Sequence, residues 1–250
     1  MINNAKGVVV IAVDCKLASV SYLNQVILKD IEFRLEAGRY LGILGPSGIG
    51  KSTILRVISG FHEEFEGTCS VFGNLVSEVD LTVLRQGMSF LFQKSPLLED
   101  MSIFDNLMLS LFYLPGTTQE KSDNIMRVLV KLNLDHVAEH FPDQLSGGMR
   151  RRVVLAATVL RKPKLLLCDE PFTGQDPITK ASLVNMLSEL GQEFGFAMIL
   201  VSHDVKETLS LCHESIVLME KTVKVRGGSQ DILRSDLPMV RAFLDGTLHV

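Results

Sequence analysis

The octapeptide Gly45-Pro46-Ser47-Gly48-Ile49-Gly50-Lys51-Ser52 constrains this chain more than any other stretch of it. It follows a short continuous apolar run, Tyr40 to Leu44, of the kind that makes a buried strand. It leads into Ser52 to Ser59, where Ile54, Leu55 and Ile58 recur at helical spacing. Strand, glycine loop and helix in direct succession make an anion cradle: glycines let the backbone wrap closely, N–H groups point inward, and the helix offers its positive end. The string fits G-x-x-x-x-G-K-[ST], in which the lysine reaches the β and γ phosphates of a nucleotide and the hydroxyl ligates Mg2+. Lys51 and Ser52 stand in those positions. A glycine turn beside an incidental lysine is the plain alternative, and by composition such a match arises by chance in roughly 1 % of chains this long. The glycines do not fit G-x-G-x-x-G, so NAD is a poor alternative ligand.

A second chemical element is Leu165-Leu166-Leu167-Cys168-Asp169-Glu170, an apolar strand closing on two adjacent carboxylates. In metal-assisted hydrolysis one carboxylate holds hydrated Mg2+, while its neighbour, turned elsewhere by the alternation of a strand end, polarises the attacking water. That assigns the metal to Asp169 and the base role to Glu170. Strands also end in acids simply because solvent begins there; the glycine loop upstream favours the catalytic reading. Leu145-Ser146-Gly147-Gly148-Met149 precedes a helical run from Arg150 to Leu160, so a Ser hydroxyl and glycine backbone sit at a second helix start. By composition alone that pattern is more often a cap and turn.

The remaining chain supports an α/β core. Val8 to Val13 and Val26 to Leu35 read as strands, as do Lys164 to Cys168, Ala197 to Val201 and Ser215 to Met219. Ala181 to Phe194 places Leu183, Met186, Leu187, Leu190 and Phe194 on one helix face, and Lys94 to about His140 reads as a mainly helical insertion. Strands alternating with helices imply helices on both faces of a sheet. With 46 % hydrophobic and 22 % charged residues the chain has a folded protein's composition, and its net charge of −4 argues against a broad nucleic-acid surface. Its longest apolar runs fall well short of the ~20 residues of a membrane span, and its first residues read as no secretory signal. Cys15, Cys69, Cys168 and Cys212 form no Cys-x-x-Cys pair, which fits thiols used as apolar fillers in a reducing compartment. The Arg150 to Arg152 run reads as a solvated helix face, and His62, His136, His140, His213 and His249 as ordinary polar residues.

The glycine loop, the Leu145–Met149 string and Asp169-Glu170, in this order, resemble the nucleotide-binding subunit of ATP-binding-cassette (ABC) transporters over nearly the whole chain. The resemblance implies a P-loop NTPase core with an N-terminal antiparallel β subdomain and an inserted α-helical subdomain at about 94–160, all in one ATPase domain spanning 1–250. It implies ATP hydrolysis, with Glu170, His203 and Lys51 as catalytic residues. ATP would be held by Tyr22, Gly45, Pro46, Ser47, Gly48, Ile49, Gly50, Lys51, Ser52, Thr53 and Gln93, and Mg2+ by Ser52, Gln93 and Asp169. Leu145, Ser146, Gly147, Gly148 and Met149 match the signature that closes over the ATP of a second subunit, and Gly174, Gln175 and Asp176 match the D-loop. Met149 and Gln175 depart from the usual Gln and Leu of those motifs, and neither change removes a phosphate ligand.

Within the family, Leu-Ser-Gly-Gly-Met-Arg-Arg-Arg from Leu145 and the stretch Asp169 to Ile178 are similar to the ATPases of MCE-domain lipid transporters of the Mla type. That similarity implies phospholipid transport in a Gram-negative envelope, at the cytoplasmic face of the inner membrane. The implied partners are a second copy of the chain, an integral-membrane permease, an MCE-domain lipid-binding protein and, as an optional addition, a STAS-domain protein; nucleic acid is not among them. With four residues after Gly246, a long C-terminal arm gripping the other subunit is not expected. Rival readings are the ATPase of a solute importer or lipoprotein-release complex, a soluble ABC protein of translation or DNA repair, and a degenerate cassette that only binds nucleotide. Such soluble proteins usually carry two cassettes or a coiled-coil insertion, and Lys51, Asp169, Glu170 and His203 argue against the degenerate form.

Overall fold

Two sheets with different burial patterns organise the chain, whose computed structural model describes residues 9–92 and 97–247. Val8, Gln93 and His249 lie outside the described residues. In chain order the elements are β1 (Ile11–Tyr22), β2 (Gln25–Glu36), β3 (Tyr40–Leu44), α1 (Lys51–Ile58), β4 (Phe65–Val71), β5 (Asn74–Leu75), α2 (Leu81–Gln86) and β6 (Met88–Leu91). There follow α3 (Ile103–Ser110), α4 (Thr118–Lys131), α5 (Gly147–Leu160), β7 (Leu165–Asp169), α6 (Pro177–Phe194), β8 (Ala197–Ser202), α7 (Val205–Leu211), β9 (Glu214–Met219), β10 (Thr222–Gly227), α8 (Ser229–Leu233) and α9 (Pro238–Leu244).

The first sheet, in the order β2-β1-β4-β5, is antiparallel. Its β1 buries Val13, Cys15, Leu17 and Val20 while polar residues between them face outward. Those polar residues carried the strand past the expected Val13, because each finds a partner across the pair. Asp14 lies opposite Arg34, which binds its carboxylate at 2.5 Å, and Lys16 lies opposite Glu32 at 3.2 Å. The same sheet sets Cys15 directly opposite Cys69, two thiols that looked unrelated along the chain. Burial, followed by the neighbouring Cys69, holds the Cys15 thiol well above its usual pKa.

The second sheet runs β10-β9-β3-β8-β7-β6, parallel except for the β10 edge. β3 and β8 are buried at every residue, as strands covered on both faces must be. On β7, Leu165 and Leu167 join a core with α1 and the antiparallel sheet, while Leu166 and Cys168 join a second core with α3, α4, α5 and α6. The α/β core, with α3 to α6 on one face of the parallel sheet and α1 with the antiparallel β layer on the other, agrees with the expected fold.

Two helices start earlier than their apolar periodicity suggested, each because a polar side chain caps it. The Ser146 hydroxyl accepts the Met149 N–H at 3.2 Å and starts α5 at Gly147 rather than Arg150. Asp176 caps α6, whose first residue is Pro177 rather than Ala181. The reading of Arg150 to Arg152 as a solvated face is corrected. α5 is packed around most of its circumference, so Arg151 is buried and Arg152 donates to Leu132 O at 2.8 Å. Arg150 donates to Pro142 O at 2.7 Å and pairs with Glu99.

Gly42 lets α7, the helix after His203, lie against β3. A Cβ there would sit 2.5 Å from Thr208 Cγ2 and 2.6 Å from Ser215 Oγ. Gly42→Ala is therefore expected to destabilise the fold by about 1–3 kcal/mol, as overpacking does. A thermal melt should show Tm lowered by several degrees, at roughly 2–4 °C per kcal/mol for a chain of this size class.

Candidate nucleotide site

Three neighbouring strands of the parallel sheet, β3, β8 and β7, end side by side, with Leu44 paired to Ser202 and Asp169 to Val201. Their ends carry the glycine loop, Ser202-His203 and Asp169-Glu170, which are far apart in sequence. The carboxyl edge of such a sheet is where ligands of α/β folds bind.

Gly48 and Gly50 take φ of +80° and +106°, conformations open to glycine, and Gly50 caps α1. A Cβ on Gly48 would meet nothing within 4 Å, so its need is conformational, whereas one on Gly50 would press on Leu28 at 3.0 Å. Lys51 is only 5 % exposed and folds back over the loop, donating to Gly45 O at 2.9 Å and Pro46 O at 3.0 Å. Its Nζ also lies 3.2 Å from Glu170 Oε1, so the buried ammonium is fully engaged. Ser52 donates to Asp169 Oδ1 at 2.7 Å. A hydroxyl and a carboxylate converging in this way are the hard oxygen donors that Mg2+ accepts, so the residues present fit that ion. Thr53 sits in the first turn of α1, its N–H on Gly50 O at 3.1 Å.

Glu170 lies beyond the end of β7 in the left-handed region, at φ +48°, and its N–H donates to Val201 O at 2.9 Å. This backbone turn, rather than strand alternation, separates its carboxylate from that of Asp169. Such a conformation in a non-glycine residue costs of order 1–3 kcal/mol and persists where its surroundings hold it. Glu170 Oε2 receives His203 Nδ1 at 2.9 Å, Thr173 Oγ1 at 3.1 Å, and Ser202 Oγ and the His203 N–H at 3.3 Å. Lys51, Ser52, Asp169, Glu170 and His203 thus form one connected constellation.

Ser202 and Thr173 were not singled out from sequence, nor was the ion pair of Lys180 with Asp204, which ties the first turn of α6 to the loop carrying His203. The signal was available: Asp204 directly follows the histidine and Lys180 lies one helical turn after the Asp176 cap. The other expected residues sit apart from the constellation. Among the described residues no hydrogen bond or ion pair joins Leu145, Ser146, Gly147, Gly148 or Met149 to it. A Cβ added at Gly148 would meet Thr179 Cγ2 at 3.6 Å, in ordinary van der Waals contact. Gly174 turns at φ +77°, Gln175 donates its N–H to Phe172 O at 3.2 Å, and Asp176 accepts from Ile178 N, Thr179 N and Thr179 Oγ1. The Thr179 hydroxyl, then the backbone N–H groups, hold the Asp176 carboxyl below its usual pKa. Tyr22 ends β1 half exposed, its ring stacked beside His62 with centroids 6.3 Å apart. Gln93 lies outside the described residues.

A separate cleft of about 350 Å³ opens between β6 and α5, lined by Phe61, Phe90, Phe92, Leu97, Ala157 and Arg161 among others. Phe90 and Phe92 stack in its wall with centroids 5.0 Å apart, and Arg85 covers the Phe61 ring at 3.9 Å. Among the described residues no helix is long and apolar enough to cross a membrane.

Comparison with known proteins agrees with this geometry. A family model described as ABC transporter matches residues 28–173. The intermembrane phospholipid transport system ATP-binding protein MlaF of Escherichia coli (strain K12) is 38 % identical over 240 residues, covering 94 % of this chain and 88 % of that protein. The sulfate/thiosulfate import ATP-binding protein CysA of Yersinia pseudotuberculosis is 33 % identical over 223 residues, covering 88 % of this chain and 60 % of that protein. Among solved structures, a dimeric ATP-binding cassette in a post-hydrolysis state with ADP and Pi superposes with a TM-score of 0.76 at 27 % identity, covering 87 % of this chain and 98 % of that one. The cbiO1 protein of Clostridium perfringens superposes at 0.84 with 22 % identity, covering 94 % and 95 %. A family match over more than half of the chain, on a fold whose strand ends carry a phosphate loop and paired acids, leads to one conclusion: the chain belongs to the ABC transporter family, as an ATP-hydrolysing subunit.

Proposed function

We propose that this chain powers phospholipid movement between the inner and outer membranes of a Gram-negative cell, as the ATPase of an MCE-type (Mla) complex. The observation that carries the reading is the likeness to MlaF along nearly the full length of both chains; the importer ATPase CysA is matched over only 60 % of its length. In this reading a second copy closes its Leu145–Met149 segment over ATP held by Gly45 to Thr53, with Tyr22 beside the adenine. Lys51 and His203 exchange Glu170 for the γ-phosphate, and the freed Glu170 carboxylate takes a proton from the attacking water. Ser52, Asp169 and Gln93 would hold Mg2+, which supplies positive charge against the phosphates when bound. Asp176 and its neighbours Gly174 and Gln175 face the second copy.

The permease occupies the cleft walled by Phe61, Phe90 and Phe92, the apolar concavity nearest in sequence to Gln93. An MCE-domain protein, with a STAS-domain protein as an optional member, completes an assembly at the cytoplasmic face of the inner membrane. The test is purification of the tagged chain from detergent-solubilised membranes. The expected result is a co-purifying permease and MCE-domain protein, with ATP-dependent transfer of labelled phospholipid between vesicles. A co-purifying solute-binding protein, with turnover stimulated by solute and not by lipid, would overturn the phospholipid reading. Ala157→Trp, whose indole fills the cleft from its α5 wall, is expected to cut co-purified permease by about tenfold or more, the size of effect of losing an interface hot spot. Nucleotide affinity of the isolated variant should stay within about twofold of the unsubstituted chain.

A further inference from the structure

Arg151 lies in the second turn's approach of α5 and is 5 % exposed. Its Nε donates to Pro171 O at 3.2 Å, and its Nη1 donates to Phe92 O. Pro171 directly follows Glu170, and Phe92 stands at the end of β6 in the cleft wall. Burial lowers the pKa of the guanidinium from the usual value, offset in part by its interaction with Cys168 of β7. It stays charged even so, since arginine titrates far above neutrality. An apolar side chain would fill this space without the cost of burying a cation. What arginine adds is a rigid planar fork that holds two carbonyls in a fixed relation.

The turn it holds is the one that needs holding. Glu170 is left-handed at φ +48°, and a strained backbone of this kind survives only where neighbouring groups over-determine it. On one side the Glu170 N–H is fixed by Val201 O, and on the other Arg151 fixes the next carbonyl, Pro171 O. We propose that Arg151 is a positioning residue for the Glu170 carboxylate, acting through Pro171 O and braced against Phe92 O. The inference rests on the reading of Glu170 as the group that meets the attacking water. Arg151 touches no phosphate and acts only through the turn.

The test measures ATP turnover of the complex purified with its native membrane partners, for Arg151→Met and Arg151→Lys. Methionine keeps most of the stem and removes every donor; lysine keeps the charge and removes the fork. Both are expected to lower kcat by about 10- to 100-fold, the effect of displacing a reacting group by about an ångström, with KM for ATP within about twofold. In a Glu170→Gln background the same substitutions should lower single-turnover hydrolysis no further, because the group being positioned is already inactive. Unchanged kcat in the single variants would overturn the proposal, and so would a further loss in the Glu170→Gln background or a rise in KM as large as the fall in kcat. Should Arg151→Met fail to fold, Arg151→Lys carries the same comparisons. Glu170→Gln alone at full turnover would refute the reading of Glu170 instead, and is read separately from the Arg151 effect.

Discussion

Lys51→Ala is expected to remove ATP turnover almost completely, by about 100- to 1,000-fold or more, as loss of a preorganised charge at a transferring phosphoryl group does. The side chain serves two needs. In the proposed function it is the cation of the phosphate loop, and its bonds to Gly45 O and Pro46 O hold the loop's first residues in shape. Alanine removes both and leaves the Glu170 carboxylate without its ammonium partner. Phosphate release by the purified complex, with titration of a fluorescent ATP analogue, separates loss of chemistry from loss of binding; both should fall. Turnover within tenfold of the unsubstituted protein would remove Lys51 from the phosphate site. Lys51→Arg should not rescue, because a side chain only 5 % exposed has no room for the larger guanidinium.

Glu170→Gln is expected to act differently, lowering turnover by about 100- to 10,000-fold, the range for a general base, while nucleotide binding persists or tightens. The amide fills the same space and leaves the backbone turn intact, yet it attracts Lys51 far less than the carboxylate does at 3.2 Å. ATP then competes with a weaker internal partner. Closed dimers should accumulate with ATP, visible by sedimentation, and disappear with ADP. A Glu170→Gln complex that hydrolyses ATP at the unsubstituted rate would show that another group activates the water.

The parts of the fold legible from sequence were those written in short-range chemistry. The glycine loop between β3 and α1 and the apolar run of β7 announced themselves because Gly48, Gly50, Lys51 and four consecutive buried residues leave few alternatives. The β1 extension to Tyr22 did not, since Asp14 and Lys16 look like strand breakers until Arg34 and Glu32 lie across from them. The strands β4, β5, β6 and β10 were missed, as their residues become strand-like only through the partners the fold sets beside them. In the candidate site, Lys51, Ser52, Asp169, Glu170 and His203 were named from sequence, and the fold brings them together. Arg151 was misread because three successive arginines look solvated. Its burial depends on the carbonyls of Pro171 and Phe92, which no local pattern reveals.

The order of strands in the parallel sheet has a consequence for how the protein is made. β3 pairs with β8, whose partner residues lie about 150 positions further along, and the loop between the two paired strands is among the slowest kinds of contact to close. A nascent chain that has emerged through α5 carries its phosphate loop but neither acid and no histidine beside it. Hydrolytic competence therefore arises late and all at once, when β7 and β8 dock between strands already formed. A nascent chain that stops short of β7 lacks both acids and the histidine, however well its glycine loop is folded.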